Sequence, residues 1–487
     1  MIQAKEVGSA LVSAHSNLSV EYFTTKTTAD RDLTIDITNP KNIGLFTRDI
    51  SSKVVDGEYD IAIHSWKDLP IEPSSGTEII GTLERGDMRD VMLMKKDLRK
   101  LNYKEKINIL TSSPRRQFNI GKLLTELIPM DFGTLTFSEI RGNIETRLNK
   151  FISTNADIFI IAKVALDRLI NSGDEDTIKL ITSILRDVKW MVLPLSIFPT
   201  APGQGAIAIE AKKDSSDLKD LVKPINCEQT FFDVKKEKEI LAEFGGGCQQ
   251  KIGVSLWNAR DIKMHSIVGQ TEDGTVLNKL QKIEKNISRK NYISANLIYP
   301  NKSDKKIYIR KNISSKSINN LKHSFILIGR KNIFKDLEPL HDSNILWTSG
   351  IKSWRYAVQK GYWINGTLDN MGEDIGVDIG SLTHSALKKY KLTHRDATSE
   401  NYEIIPQYEL EFDKNVIKNL NLDKRSDFFW MSPLQFQKAL EYYPEIINGN
   451  HSCGLGRTYE FLKKNIPKSK HISCYFSYEH WLEHHKQ

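Results

Sequence analysis

Cysteine is scarce in this 487-residue sequence: Cys227, Cys248, Cys453 and Cys474 stand far apart and never form a CxxC pair. That spacing gives neither a disulfide framework nor a zinc-ligand pattern. No apolar run approaches the ~20 residues that a membrane helix requires. The opening MIQAKEVGSALVSAH lacks a basic segment followed by an apolar core, so it does not read as a secretory signal. A basic tail or stripe is also missing. The net charge of +8 permits nucleic acid, yet the N-terminal arginines fall at predicted strand-to-helix junctions, whereas a nucleic-acid footprint gathers them on one face. The expectation is a cytoplasmic monomer with no metal, no membrane and no nucleic acid as partner. What is present is a globular balance, 39% hydrophobic and 27% charged, over a length that suits several domains.

From about residue 55 to 210, short apolar runs alternate with helical patterns. DIAIH (60–64), INIL (107–110), TFSEI (136–140), DIFIIA (157–162) and AIAIE (206–210) read as strands, with amphipathic stretches 115–127 and 144–152 between them. This alternation predicts α/β architecture with largely parallel sheets. Residues 228–285 add a helical stretch, a glycine cluster and strand-like pieces ending at an Asp273-Gly274 turn, which suits a smaller α+β domain. A Lys/Asn/Ser-rich stretch reads partly as linker. A further α/β pattern begins at SFILIGR (324–330). Within it, 344–358 and 427–443 share one form: strand, Ser, Gly or Pro, helix.

Chemistry concentrates at the junctions. In LTSSPRRQ (110–117), Ser113 suits an N-cap and Pro114 the first helical position. Arg115 and Arg116 then sit in the first turn, where cations oppose the helix dipole. A carboxylate ligand would resolve that conflict; a surface pair tied to neighbouring acids would do so too. RGNIETRLNK (141–150) repeats the logic with Arg141, Asn143 as N-cap, and Arg147; Arg168 follows DIFIIA. Several arginines at the C-terminal ends of strands point to the ligand crevice of such folds, and together they imply a multi-carboxylate ligand. IAIHSWKDLP (61–70) runs a strand into His64, Ser65, Lys67 and Asp68. Asp68 there could shuttle protons or stabilise a developing cation, or it could cap a turn with Lys67. In EFGGGCQQKIG (243–253), three glycines let the Cys248 thiol project into a cleft, which suits covalent attachment; a small buried hydrophobe is the plainer alternative.

In order, HSWKDLP, ERGDMRDVML (84–93), TSSPRRQ, RGNIETRL, APGQGAIAIE (201–210) and GGGCQ resemble the hydroxymethylbilane synthase (porphobilinogen deaminase) family, over roughly residues 2–285. The resemblance implies two hinged α/β domains like those of periplasmic binding proteins (1–84 with 192–212, and 85–191). It also implies a small α+β third domain over 213–300. The implied reaction joins four porphobilinogens into hydroxymethylbilane with release of ammonia. Cys248 would carry a dipyrromethane cofactor through a thioether, and the cofactor's free pyrrole carbon would attack each incoming unit. Asp68 would be catalytic. Lys67, Arg115, Arg116, Arg141 and Arg147 would bind the cofactor, and Ser65, Arg168 and Gln204 the substrate.

Four features depart from the family pattern. The family opens with an Arg- and Ser-bearing strand ahead of the point where this sequence begins, so a misassigned start is expected. Ile43 stands where a Lys is usual, and Leu110 and Lys251 replace a usual Gly and Pro. After a linker at 301–322, residues 323–487 resemble uroporphyrinogen-III synthase through FFWMSPLQF and CGLGRTYEFL, with Ser432, Gly456 and Thr458 as the matching residues. That implies a bifunctional chain that also cyclises its product. Two rival readings stay open: an impaired module that sequesters porphobilinogen or tetrapyrroles, and a C-terminal domain kept for stability or assembly.

Overall fold

The computed structural model describes residues 1–24, 45–71, 75–97, 103–245, 250–283, 294, 296–313, 318–373, 376–383 and 386–485. Cys248 and Ile43 lie outside the described residues. The chain divides into two compact units. One holds Met1–Thr125, Met130–Ile283 and Ile379–His384; the other holds Glu126–Pro129, Glu284–Asp378 and Ser385–Gln487.

The first unit's strands are β1 (Ile61–Ser65), β2 (Thr77–Gly81), β3 (Asp90–Lys95), β4 (Tyr103–Leu110), β5 (Asp131–Ser138) and β6 (Ile158–Ala162). β7 (Val188–Val192), β8 (Ile207–Lys212), β9 (Gly253–Ala259), β10 (Ile262–Gln270) and β11 (Val276–Ile283) follow. They form sheets ordered β1-β8-β2, β5-β4-β6-β3-β7 and β11-β10-β9. β4, β5 and β6 run parallel, and β6 is buried along its whole length, as a parallel core strand with helices on its faces should be. The expectation of largely parallel sheets fails elsewhere. β8 lies antiparallel between β1 and β2, and β3 is antiparallel to both its neighbours. The reason is connectivity. β3 is reached straight from β2 of the other sheet, ahead of β4, β5 and β6, and β8 re-enters the first sheet only after β7, so neither strand follows its sheet neighbour through a βαβ crossover.

The segment expected to open the third domain divides its packing. Val222 joins Val7, Leu11, Ile207 and Ile209 in the core of the first sheet. The helix Glu228–Ala242 packs Val234 against Trp66 and Ala208, while its Ile240 and Leu241 join Val254, Leu256 and Ile267 of the third sheet. Thr271, Asp273 and Gly274 form the turn between β10 and β11, with Gly274 at φ 88°.

The second unit contributes β12 (Ile298–Tyr299), β13 (Tyr308–Asn312), β14 (Ser324–Ile328), β15 (Ile345–Thr348) and β16 (Gly366–Thr367). Then come β17 (Lys388–His394), β18 (Glu403–Phe412), β19 (Asp427–Trp430), β20 (Asn450–Cys453) and β21 (Ile472–Cys474). One sheet is ordered β13-β18-β17-β14-β15-β16; the other, all parallel, is β12-β19-β20-β21. The stretch expected as linker is therefore part of this unit. β13 pairs with β18 over five residues, and β12, just ahead of it, pairs with β19. β13, YIRKN, is an edge strand, and charged edges of this kind resemble loops in a sequence.

Candidate active site

Because β4, β5 and β6 are parallel, their C-terminal ends open onto one edge of the five-stranded sheet, where α/β sheets hold ligands. Helices Pro114–Leu127, Ile144–Ser153 and Lys163–Ile170 start there. Ser113 Oγ accepts the Arg116 amide at 3.4 Å, and Asn143 Oδ1 accepts that of Thr146 at 2.8 Å, so both residues cap as expected. The caps fix where Arg115, Arg116 and Arg147 leave their helices.

β3 runs the opposite way, which brings its first residue, Asp90, to the same edge, paired with Ala162. Arg115 Nη2 donates to one oxygen of this fully buried carboxylate at 2.8 Å. Arg116 Nη2 and Gln204 Nε2 donate to the other at 2.6 and 2.9 Å. The carboxylate that resolves the helix-start conflict thus comes from the chain itself. Burial opposes ionisation of Asp90, but the two guanidinium groups outweigh it and hold the carboxyl well below the usual range. Arg115 also donates to the Pro199 carbonyl at 2.8 Å and is only 4% exposed. Arg116 donates to the Ile160 carbonyl at 3.1 Å. The buried Nε atoms of both arginines have no partner.

β1 delivers Lys67 and Asp68 on a turn held from beneath. Trp66 is buried against Phe231, its amide bonds the Ala206 carbonyl at 3.1 Å, and Lys238 Nζ donates to the Leu69 carbonyl at 2.8 Å. Gly203, at φ 78°, lets the 201–206 loop pass close behind; a Cβ there would stand 3.1 Å from the Lys67 amide nitrogen. Asp68 itself is exposed. Burial pushes the Lys67 ammonium pKa down; Arg116 and Arg147 push it the same way, against Asp68 and Asp90. Burial likewise lowers that of Arg147, with Arg116 adding to the effect and Asp68 opposing it. Lys67, Asp68, Arg116 and Arg147 therefore share one electrostatic neighbourhood.

The other sequence-derived residues fall in different settings. Arg147 Nε donates to the Gly142 carbonyl at 2.7 Å, and Arg141 lies 3.9 Å from Glu139. Gln204 is buried behind the arginines, bonded to Asp90 and the Met88 carbonyl. Ser65 exchanges hydrogen bonds with Gln3 at 2.8 and 3.1 Å, and Arg168 Nε meets the Glu6 carboxylate at 3.1 and 3.2 Å. In the second unit, Ser432 Oγ caps the helix Pro433–Tyr442 by accepting the Gln435 amide at 3.3 Å. Gly456 caps Arg457–Asn465, and Thr458 is that helix's second residue, half-buried. Parallel β19 and β20 bring Ser432 and Gly456 to one sheet edge. Among the described residues no group of three or more His, Cys, Asp or Glu could hold a metal ion, and no helix is long and apolar enough to cross a membrane.

Sequence reasoning passed over Asp90 and two buried networks. Glu237 accepts both Arg85 Nη atoms at 2.8 Å, the Gly203 amide at 2.8 Å and the Leu256 amide at 2.7 Å. Glu210 bonds His64 Nε2 and Ser51 Oγ, each at 2.8 Å, and Thr77 Oγ1, which secures β1 to its neighbours. An acid opening or interrupting an apolar strand, as in DVML and AIAIE, was the available signal.

The family model "Porphobilinogen deaminase, dipyromethane cofactor binding domain" matches residues 1–220. A porphobilinogen deaminase of Syntrophomonas wolfei is 37% identical over 247 residues, 51% of this chain and 74% of its own length. The chain belongs to the porphobilinogen deaminase family. A porphobilinogen deaminase of Chlorobium phaeobacteroides is 33% identical over 55% of this chain and 79% of its own. The GluR0 ligand-binding core with L-glutamate aligns over 48% of this chain and 86% of its own, at 10% identity and a TM-score of 0.26. The family makes the chain a transferase with dipyrromethane as cofactor. The donor set fits such a group: a multi-carboxylate pyrrole matches Lys67, Arg116 and Arg147, and the buried Nε atoms of Arg115 and Arg116 have no partner.

Proposed function

We propose that the first unit condenses four porphobilinogens into hydroxymethylbilane, releasing ammonia, with the cofactor held through a thioether at Cys248. The observation that carries this reading is the cluster of Arg115, Arg116 and Gln204 on Asp90 where the parallel strands end, with Lys67, Asp68 and Arg147 acting electrostatically on one another and on Arg116. When bound, dipyrromethane supplies the pyrrole carbon to which the product chain is attached. Lys67, Arg116, Arg141 and Arg147 hold carboxylates of the cofactor. Arg115 and Gln204 act from behind, through Asp90 and Arg116, and Ser65 and Arg168 meet the substrate. Loss of ammonia from an aminomethyl group leaves a cation conjugated with the pyrrole. The exposed Asp68 carboxylate stabilises that charge and takes up the ring proton released when the new bond forms.

Asp68→Asn keeps the shape and removes the charge. Turnover should fall by a few orders of magnitude while the thermal midpoint stays put. A loss below about tenfold, ~1.4 kcal/mol of barrier, would reduce Asp68 to a turn residue. Cys248→Ser should fold and yield an intact mass without the added group; an unchanged cofactor mass would sink the attachment site.

We propose further that the second unit closes hydroxymethylbilane to uroporphyrinogen III. Supporting this are its two separate sheets and the Ser432 and Gly456 helix starts at one edge of the parallel sheet. The full chain fed porphobilinogen should give mainly the type III isomer, and a chain ending at Ile283 the spontaneous type I isomer. Type I product from an active full chain would exclude the synthase reading.

A further inference from the structure

The helix Ile2–Ala14 carries Gln3 and Glu6 one turn apart, on the same face. Each meets a residue that the reading above gives to the substrate: Gln3 meets Ser65, and Glu6 meets Arg168. The second contact is chemically pointed. Both Glu6 oxygens approach Arg168 Nε, at 3.1 and 3.2 Å, while Arg168 Nη2 donates to the Gly205 carbonyl at 3.3 Å. The Arg168 side chain is 14% exposed and that of Glu6 35%, so the carboxylate sits on the solvent side of the pair. A carboxylate bound there is what a porphobilinogen carboxylate would have to replace.

We propose that Glu6 is an affinity-setting residue, an internal carboxylate that occupies Arg168 until a substrate carboxylate displaces it. The inference rests on the assignment of Arg168 to the substrate. Exchange of one carboxylate for another keeps the guanidinium paired throughout, so Arg168 never stands uncompensated in a mostly buried place. A partly exposed pair is weak, so the substrate displaces it readily, yet any population of the closed pair reduces the apparent affinity in proportion.

The test is a double-mutant cycle in the full chain with its cofactor: Glu6→Gln, Arg168→Gln and both together, with KM, kcat and thermal midpoint measured for each. Glu6→Gln should lower KM for porphobilinogen about two- to five-fold at unchanged kcat. Arg168→Gln should raise KM, and adding Glu6→Gln to it should then change nothing. In an Asp68→Asn background, calorimetric binding of porphobilinogen should tighten by the same factor, which reads the effect without turnover. Where Arg168→Gln does not fold, Arg168→Met, which also removes the charge, replaces it in the cycle. An unchanged or raised KM in Glu6→Gln overturns the proposal. So does a KM decrease that persists without Arg168, which would reflect general charge alone. An Arg168 variant with unchanged KM overturns the substrate assignment, and the role of Glu6 falls with it.

Discussion

The first unit carries charge into its interior. Asp90, Glu237 and Lys163 have fully buried side chains, each held by oppositely charged partners. The second unit buries more rings: Trp347, Trp354, Trp430, Trp481, Phe334, Phe428, Phe436 and Tyr299 are fully buried, against Phe151, Phe159 and Phe198 in the first. Its tight ion pairs, Arg425–Asp304 and Lys391–Glu373, keep some exposure. Buried charge is costly unless it is paired and hydrogen-bonded, and in the first unit part of it pairs at the edge where β4, β5 and β6 end. Under the function proposed above, Asp90 gives that cost a purpose: it fixes Arg116, with the buried Arg115 behind it, at the edge proposed to take carboxylates.

The comparison breaks first under deletion from each core. Glu237→Ala strands Arg85 and two backbone amides in a dry interior and should cost about 3–5 kcal/mol. Trp430→Ala empties a ring-sized space and should cost a similar 3–5 kcal/mol. The readouts should separate. Glu237→Ala should lower the first unit's melting transition and abolish porphobilinogen consumption. Trp430→Ala should lower the other transition and leave consumption near normal. Parallel loss of both transitions in either variant would mean that the units do not unfold independently.

A smaller effect sharpens the contrast at Ser432. Its hydroxyl serves as a helix cap, so Ser432→Ala should cost roughly 1 kcal/mol, seen as a lower midpoint for the second unit alone. If Ser432 also touches hydroxymethylbilane, the type III fraction should drop in Ser432→Ala and stay low in Ser432→Thr, which keeps a cap but crowds the edge with a methyl group. A restored type III fraction in the threonine variant would make the cap its whole role.

Much of the first unit was legible because its strands, caps and arginines follow local rules. Ser113-Pro114 and Asn143 announce helix starts in their own chemistry, and the following arginines stand out against the dipole. What local rules could not convey was pairing at a distance. Asp90 lies 25 residues from Arg115, Glu237 lies 152 from Arg85, and β13 finds β18 about a hundred residues later. The direction of β8 was hidden for the same reason, since alternation along a chain says nothing of a strand that returns. The C-terminal residues Ser432 and Gly456 were legible as helix starts, because a cap is local. Whether they do chemistry depends on what the second unit binds, which short strands and caps do not encode.

The smallest expected effect is acid sensitivity of the aromatic core. His451 lies among Phe428, Trp430 and Phe436; Trp430 Nε1 donates to its Nδ1 at 3.0 Å, and its Nε2 faces the Ile447 carbonyl at 3.4 Å. That arrangement needs a neutral ring with the proton on Nε2, because a second proton on Nδ1 would oppose the indole N–H. Burial lowers the His451 pKa from its ordinary 6.5; the Ile447 carbonyl opposes that shift, nearby Lys470 adds to it by less, and the Ile446 carbonyl opposes it least. A folded pKa below the unfolded one means that the unfolded chain binds the extra proton first. The stabilisation is therefore present above about pH 6.5 and is lost as pH falls through the folded pKa. His394, lowered by burial as well, contributes with the same sign. The second unit's midpoint should thus decline between pH 7 and 5. In contrast, the Asp90 pairs of the first unit hold until far lower pH, since their carboxyl stays ionised there. His451→Gln, which cannot titrate, should flatten part of that decline while lowering the midpoint at pH 7. An unaltered slope in this variant would assign the acid sensitivity to His394 or to groups outside the core.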